Sequence, residues 1–269
     1  MLDIKDLEGK ITNADCMDIL KQLPDNCIDL VVTSPPYDNL RTYNNTLEWS
    51  FEVFQEIAKE LARTLKGGGV IVWIVSDGTE NGSETGTSFK QALYFKDIGL
   101  NIHDTMIWEK DTFSFPHSNL YRNSFEYMFV FSKGKPYTSN LICDRQNKYA
   151  GTKVHGTSRK VDGTTFRKSN DNKSLVADYG VRFNVWKISS EKCNKTGHPA
   201  VFPYQLAHDH IISWSNENDL VLDCFSGSGT TAIACHNLKR RFICIEKDPD
   251  YYKASCERLE REQAQLQLF

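Results

Sequence analysis

Hydrophobic positions along the chain follow two periods that alternate from one end to the other. Ile28-Asp29-Leu30-Val31-Val32 is a short β-branched run that stops at Thr33-Ser34-Pro35-Pro36, which predicts a strand ended by its prolines. From Phe51 to Leu65, apolar residues recur at Phe51, Phe54, Ile57, Ala58, Leu61 and Leu65, the spacing of one helix face, with Gly67-Gly68-Gly69 as a stop. Val70 to Val75 is continuously apolar, as a strand buried on both faces would be. The same reading places a helix over 88–98 and strands over 105–108 and 126–132. Order returns near Val185-Trp186-Lys187-Ile188. Beyond it come a helix over 203–214, a strand over 220–225, a helix over 231–238, a strand over 241–246 and a terminal helix over 250–265, charged on one side. Strands and helices alternate in the manner of an α/β protein, with no internal repeat.

Between these halves the character changes. Residues 134–184 are rich in Gly, Asn, Ser, Thr, Lys and Arg and have little periodicity. Aromatics are nevertheless spaced through them (Tyr137, Tyr149, Phe166, Tyr179, Phe183), which argues for a folded insertion and not a linker. A chain of 269 residues then divides as 1–133, the insertion 134–184, and 185–269, one core interrupted once.

Charge sharpens this division. The net charge is −3, weak grounds for a polyanion partner. From Arg145 to Lys195, however, twelve Lys/Arg face four Asp/Glu, a local +8 that leaves −11 on the remainder. Such segregation suggests an acidic body with one basic face suited to nucleic acid, with a solvated basic loop as the alternative. No apolar run approaches the roughly 20 residues of a membrane span, and Met1-Leu2-Asp3-Ile4-Lys5-Asp6 lacks a signal peptide's apolar core. The eight cysteines include no C-x-x-C pair, and six of them (Cys16, Cys27, Cys224, Cys235, Cys244, Cys256) read as reduced core residues of a cytoplasmic protein, with no metal site expected.

Two motifs carry chemistry. Asp223-Cys224-Phe225-Ser226-Gly227-Ser228-Gly229-Thr230-Thr231-Ala232 is strand, glycine turn, helix. Glycines there let backbone approach a ligand, and the helix start presents free N–H groups. Glu246 closes the next strand, where a carboxylate can accept both hydroxyls of a ribose, so the pair indicates an adenosine-containing cofactor. A phosphate-loop lysine is absent, and Asp223 before the turn suits a ligand with a cationic amino group, which S-adenosylmethionine carries. The second motif is Val31-Val32-Thr33-Ser34-Pro35-Pro36-Tyr37-Asp38, a hydroxyl, a rigid corner and an aromatic ring at a strand's exit.

Together, T-S-P-P-Y and D-C-F-S-G-S-G-T-T resemble the amino-methylating DNA methyltransferases, which modify N4 of cytosine or N6 of adenine. The catalytic motif precedes the cofactor motif, as in the beta group of that family, a circular permutation of the common order. The resemblance spans nearly the whole chain. It implies a Rossmann-like, seven-stranded, mostly parallel sheet, with 134–184 as target-recognition insertion. It implies S-adenosyl-L-methionine as cofactor. Asp223, Phe225, Gly227, Gly229, Thr230, Thr231 and Glu246 would bind it. N-A-D-C-M-D-I-L resembles the segment near the cofactor's adenine, which nominates Asp15 and Cys16. K-T-G-H-P-A-V-F-P resembles the segment at its methionine end, which nominates His198 and Pro199, with Phe202 beyond.

The implied reaction assigns the first motif. An exocyclic amino group is a poor nucleophile because its lone pair is delocalised into the ring. Acceptors on both of its N–H groups make it more pyramidal and align it. Ser34 Oγ and the Pro35 carbonyl are those acceptors, Pro36 stiffens the corner, and Tyr37 stacks on a base flipped out of duplex DNA. A serine at the first position favours cytosine N4, with adenine N6 as the alternative. An RNA methyltransferase and a catalytically silent DNA-binding module are lesser readings. A cognate restriction endonuclease and a homodimer are partners that the resemblance allows. His208 and His210 read as structural, and Asp77 and Asp111 have no assigned role.

Overall fold

The computed structural model describes residues 3–37, 49–112, 120–153, 156–167, 175–190 and 203–266. The chain forms two compact units, Met1–Asn140 with Asn184–Phe269, and Leu141–Phe183.

The larger unit is built on one sheet. Its strands are β1 (Lys10–Asn13), β2 (Ile28–Thr33), β3 (Leu65–Val75), β4 (Asn101–Glu109), β5 (Phe125–Ser132), β6 (Val185–Lys187), β7 (Leu220–Asp223) and β8 (Arg241–Glu246). Their order is β1-β8-β7-β2-β3-β5-β4-β6. All neighbours are parallel except β5, which runs antiparallel to both β3 and β4. The sheet has eight strands where seven were expected. The addition is the three-residue edge strand β6, which continues the sheet parallel to β4.

Helices cover both faces. They are α1 (Ile4–Leu7), α2 (Cys16–Leu20), α3 (Phe51–Thr64), α4 (Thr87–Asp97), α5 (Tyr204–Trp214), α6 (Thr230–Asn237) and α7 (Pro249–Leu266). Strand alternation sorts the core into two layers. Val31, Ile71, Trp73, Phe129 and Phe131 face α2, α3 and α4. Leu30, Val32, Val70, Val72, Met128 and Val130 face α5 and α6. With both faces covered, every residue of β2 is buried, which is why the strand reads as a continuous apolar run.

Local chemistry sets the boundaries. Ser50 caps α3 by accepting from Val53 N, and the stripe Phe54, Ile57, Ala58, Leu61 lies in the core. The helix ends at Thr64 and the chain passes straight into β3. Gly67-Gly68-Gly69 therefore lies inside the strand and is not the helix stop that its composition suggests. The reason is crowding: a Cβ on Gly69 would sit 2.9 Å from the Asp29 carbonyl oxygen on β2. Asp29 interrupts the apolar run of β2 because its carboxylate joins three segments. It accepts from Lys66 Nζ, the Tyr137 hydroxyl and Leu220 N. Burial would raise its pKa, but these donors hold it below the ordinary carboxylate value.

Cys16, Cys224, Cys235 and Cys244 are buried free thiols, and burial drives Cys16 up to about 12, so they serve as core residues. No helix among the described residues is long and apolar enough to cross a membrane.

The smaller unit is built from short pairings. Thr157–Arg159 lies antiparallel to Thr165–Arg167, and Tyr179–Gly180 lies antiparallel to Arg145–Gln146. Cations stand over aromatic rings within it: Arg145 on Phe183 at 4.7 Å, Lys148 on Tyr149 at 5.7 Å and Lys160 on Phe166 at 5.8 Å. Tyr149, Phe166, Tyr179 and Phe183 are all exposed.

Candidate active site

Strands β2 and β7 are neighbours, so their carboxyl ends bring together motifs that lie about 190 positions apart in the chain. The link is direct: Thr33 Oγ1 donates to Asp223 Oδ1 at 2.7 Å, with a sequence separation of 190. Ligands of open parallel sheets bind at these carboxyl ends.

Asp223 is fully buried and organises the turn. Oδ1 also accepts from Phe225 N at 3.1 Å, and Oδ2 accepts from Thr231 Oγ1 at 2.6 Å. Its carboxylate is thus committed to protein donors, where the sequence suggested a partner for a ligand's amino group. Burial pushes its pKa up to about 6, against the pull of the hydrogen bonds from Thr231, Thr33 and Phe225 N. The sign follows. An acid whose folded pKa lies above the unfolded 3.8 contributes stability that is complete below 3.8 and lost as pH rises through about 6. Asp223→Asn removes that loss. The melting temperature of the variant minus that of the parent is expected to climb between pH 5 and 8, by the equivalent of roughly 1.5 kcal/mol. Calorimetric melting across that range checks it, and a flat difference would contradict it.

The turn itself follows from its glycines and a clamp. Gly227 and Gly229 both have positive φ, 49° and 76°, and Gly229 caps α6. Glu246 Oε2 accepts from Gly227 N at 2.8 Å and Oε1 from Asp248 N at 2.9 Å, so the acidic strand end grips the turn. Burial raises the Glu246 pKa, with those two N–H groups opposing. From α7, Arg258 Nη1 donates to Ser228 O, Ser228 Oγ and Thr230 Oγ1 at 3.2, 3.2 and 3.0 Å. Thr230 and Thr231 are buried in the first turn of α6. Phe225 packs edge-on to Trp49 at 5.6 Å. Asp15 caps α2 through Met17 N and pairs with Lys247 at 3.0 Å, so the N-terminal segment does lie beside Glu246, with Cys16 buried behind it. His198, Pro199 and Phe202 lie outside the described residues.

The donor set fits an adenosine-bearing cofactor. Glu246 retains lone pairs beyond the two it commits, and the Ser226 hydroxyl, buried in the turn, has no hydrogen-bond partner among the described residues.

At the other motif, Ser34 is half-buried while Pro35, Pro36 and Tyr37 are buried. The Tyr37 hydroxyl lies 2.9 Å from Ser34 Oγ and donates to Glu126 Oε2 at 2.6 Å. Lys110 Nζ donates to Glu126 Oε1 at 2.9 Å. Sequence reasoning missed Glu126, Lys110 and Arg258. Glu126 had a signal: it is the one charged side chain in the run Phe125–Ser132. Arg258 had none, because a charged terminal helix reads as a solvated face.

Other expectations resolve as structure. His208 pairs with Asp209, and His210 stacks on Trp186 at 4.5 Å, both within the fold. Asp77 accepts from Ser88 N and the Ser88 and Thr85 hydroxyls, securing the start of α4. Asp111 accepts from Ser190 N. Among the described residues no cluster of side chains is arranged to hold a metal.

Residues 28–257 match the family model described as DNA methylase. The chain is 52% identical over 247 residues to an orphan methyltransferase of Bacillus amyloliquefaciens, M.BamHII, covering 89% of this chain and 91% of that protein. Among solved structures, the cytosine-N4-specific PvuII DNA methyltransferase aligns with TM-score 0.70 at 20% identity, over 94% of this chain and 89% of that one. A DNA modification methylase of Thermus thermophilus complexed with S-adenosyl-L-methionine aligns with TM-score 0.63 at 22% identity, over 94% and 93%. Both structural likenesses concern the fold.

Proposed function

Because the chain belongs to the DNA methylase family and is an S-adenosylmethionine-dependent DNA methyltransferase, we propose that it methylates the exocyclic N4 of a cytosine flipped out of duplex DNA. The observation that carries this reading is the Thr33–Asp223 hydrogen bond, which sets the serine corner beside the glycine turn. Bound there, S-adenosylmethionine supplies a methyl group on a positively charged sulfur. Everything else is positioning by this chain's residues.

The turn at Gly227 and Gly229, with Asp15, Phe225, Thr230, Thr231 and Glu246 around it, holds the cofactor. Cys16 supports that side from the core, and His198 and Pro199 complete the methionine end. Asp223 ties the turn to β2. Ser34 Oγ and the Pro35 carbonyl accept from the two N–H groups of the target amine, pointing its lone pair at the incoming methyl. Pro36 has no N–H to compete for those acceptors. Tyr37 offers its ring to the base. Flipping is required because the amino nitrogen is inaccessible within a stacked duplex.

Residues 134–184 act as the target-recognition region. The compact unit Leu141–Phe183 supports this, since its cations and exposed aromatics suit phosphates and bases. The serine at the first motif position favours cytosine over adenine. The description of the Bacillus amyloliquefaciens relative as an orphan favours action without a partner nuclease.

The test is transfer of labelled methyl groups to duplex DNA, followed by digestion to nucleosides. N4-methylcytosine is the expected product. Recovery of N6-methyladenine instead would overturn the choice of base, and incorporation into RNA but not DNA would overturn the choice of substrate.

A further inference from the structure

The serine corner ends in a hydrogen-bond chain with a fixed direction. Tyr37 has one hydroxyl proton, and it goes to Glu126 Oε2 at 2.6 Å. The 2.9 Å contact between the Tyr37 hydroxyl and Ser34 Oγ is therefore donated by the serine. Glu126 is 5% exposed, and its other oxygen takes Lys110 Nζ at 2.9 Å. The backbone fixes both ends: Glu126 sits opposite Trp108 in the β4–β5 register, and Lys110 N donates to Ser124 O at 2.7 Å just past β4.

From this directed chain we infer that Glu126, with Lys110 as its counter-ion, is a positioning residue that sets the proton order at Ser34, making that hydroxyl an acceptor for the target amino group. The inference rests on the methyl-transfer reading. Its physical need is plain. A target amine approaches with N–H donors, and a carboxylate in the place of Ser34 could only accept. A serine hydroxyl can do either. If its proton turned toward the amine, donor would meet donor and the nitrogen would not be aligned. With the proton claimed by Tyr37, both lone pairs of Ser34 Oγ face away from that bond and can receive N–H.

Glu126→Gln tests the order itself. Lys110 can only donate, so it holds the amide oxygen and turns the amide NH2 toward Tyr37. The chain then runs backwards, and the Tyr37 proton points at Ser34. The single-turnover methyl-transfer rate is expected to fall ~100-fold, with affinities for S-adenosylmethionine and DNA unchanged within about twofold. Adding Lys110→Met frees the amide to present its oxygen to Tyr37. The double variant is expected to run ~10-fold faster than Glu126→Gln alone, a sign of coupling that accumulating structural damage does not give. Tyr37→Phe keeps the ring and removes the relay. It should lose rate to a similar degree and gain nothing from Lys110→Met.

A Glu126→Gln or Tyr37→Phe enzyme at parental rate would overturn the inference, as would a double variant no faster than Glu126→Gln. Should Glu126→Gln fail to bind cofactor or to fold, Tyr37→Phe decides alone. If the parent protein transfers no methyl group to DNA, the underlying reading falls. If the parent is active and the variants do not respond as described, only the proton-order inference falls.

Discussion

Tyr37→Ala is expected to slow methyl transfer by about 10²–10³-fold, while S-adenosylmethionine still binds with near-parental affinity. Two losses combine at one position. The ring is the proposed stacking surface for the extruded base, and the hydroxyl joins Ser34 to Glu126. Cofactor affinity should survive, because the turn is held by Glu246, Asp223 and Arg258, none of which touches Tyr37 in the described contacts. The truncation also empties a buried site, at a cost of about 3–5 kcal/mol of stability. Single-turnover kinetics and calorimetric titration with cofactor separate the effects. Loss of the calorimetric signal in a folded variant would refute the assignment of Tyr37 to the base.

Gly229→Val should do the opposite, abolishing cofactor binding before any chemistry. The backbone there has φ +76°, which a β-branched residue rarely adopts. An added Cβ would lie 3.1 Å from Ser255 Cβ and 3.2 Å from Ile11 Cδ1. Ser255 is fully buried on α7 and Ile11 is fixed in β1, so neither neighbour can yield cheaply. The strain, about 1–3 kcal/mol, is relieved only by moving the start of α6, where the cofactor's seat is proposed. Gly86→Val is the control. Its φ is +66°, but nothing lies within 4 Å of its added Cβ, so it should pay the strain and keep the cofactor. Equal affinities for the two variants would contradict the placement of the cofactor at Gly229.

Most of the fold was legible because burial on both faces leaves a strong mark. β2, β3, β7 and β8 are apolar runs, and the stripe of α3 shows through its spacing. Misreadings came where tertiary crowding overrides local preference. Gly67-Gly68-Gly69 has the composition of a helix stop, yet it lies in the strand, where Gly69 lacks the Cβ that would crowd β2. Strand β6 was visible only as returning order, because three residues on an edge bury too little to show a period. Within the candidate site, the two contiguous motifs stand out in the sequence as patterns. Glu126, Lys110 and Arg258 reach these motifs from other strands and helices, and only the pairing of β4 with β5 and the packing of α7 reveal them.

The sheet order also bears on how the chain comes to be folded at all. Among the described residues β1 pairs only with β8, and β2 lies between β3 and β7. β1 thus waits for β8, which follows some 230 residues later, roughly ten to fifty seconds at ordinary elongation rates. During that interval one edge of β2, apolar on both sides, has no partner in the nascent chain. The serine corner at its end is synthesised early, but Asp223, which anchors it through Thr33, arrives about 190 residues later. The bond that ties the serine corner to the glycine turn therefore forms only after β7 has been made. Any slowing of synthesis between β5 and β7 lengthens the life of an open, aggregation-prone sheet edge.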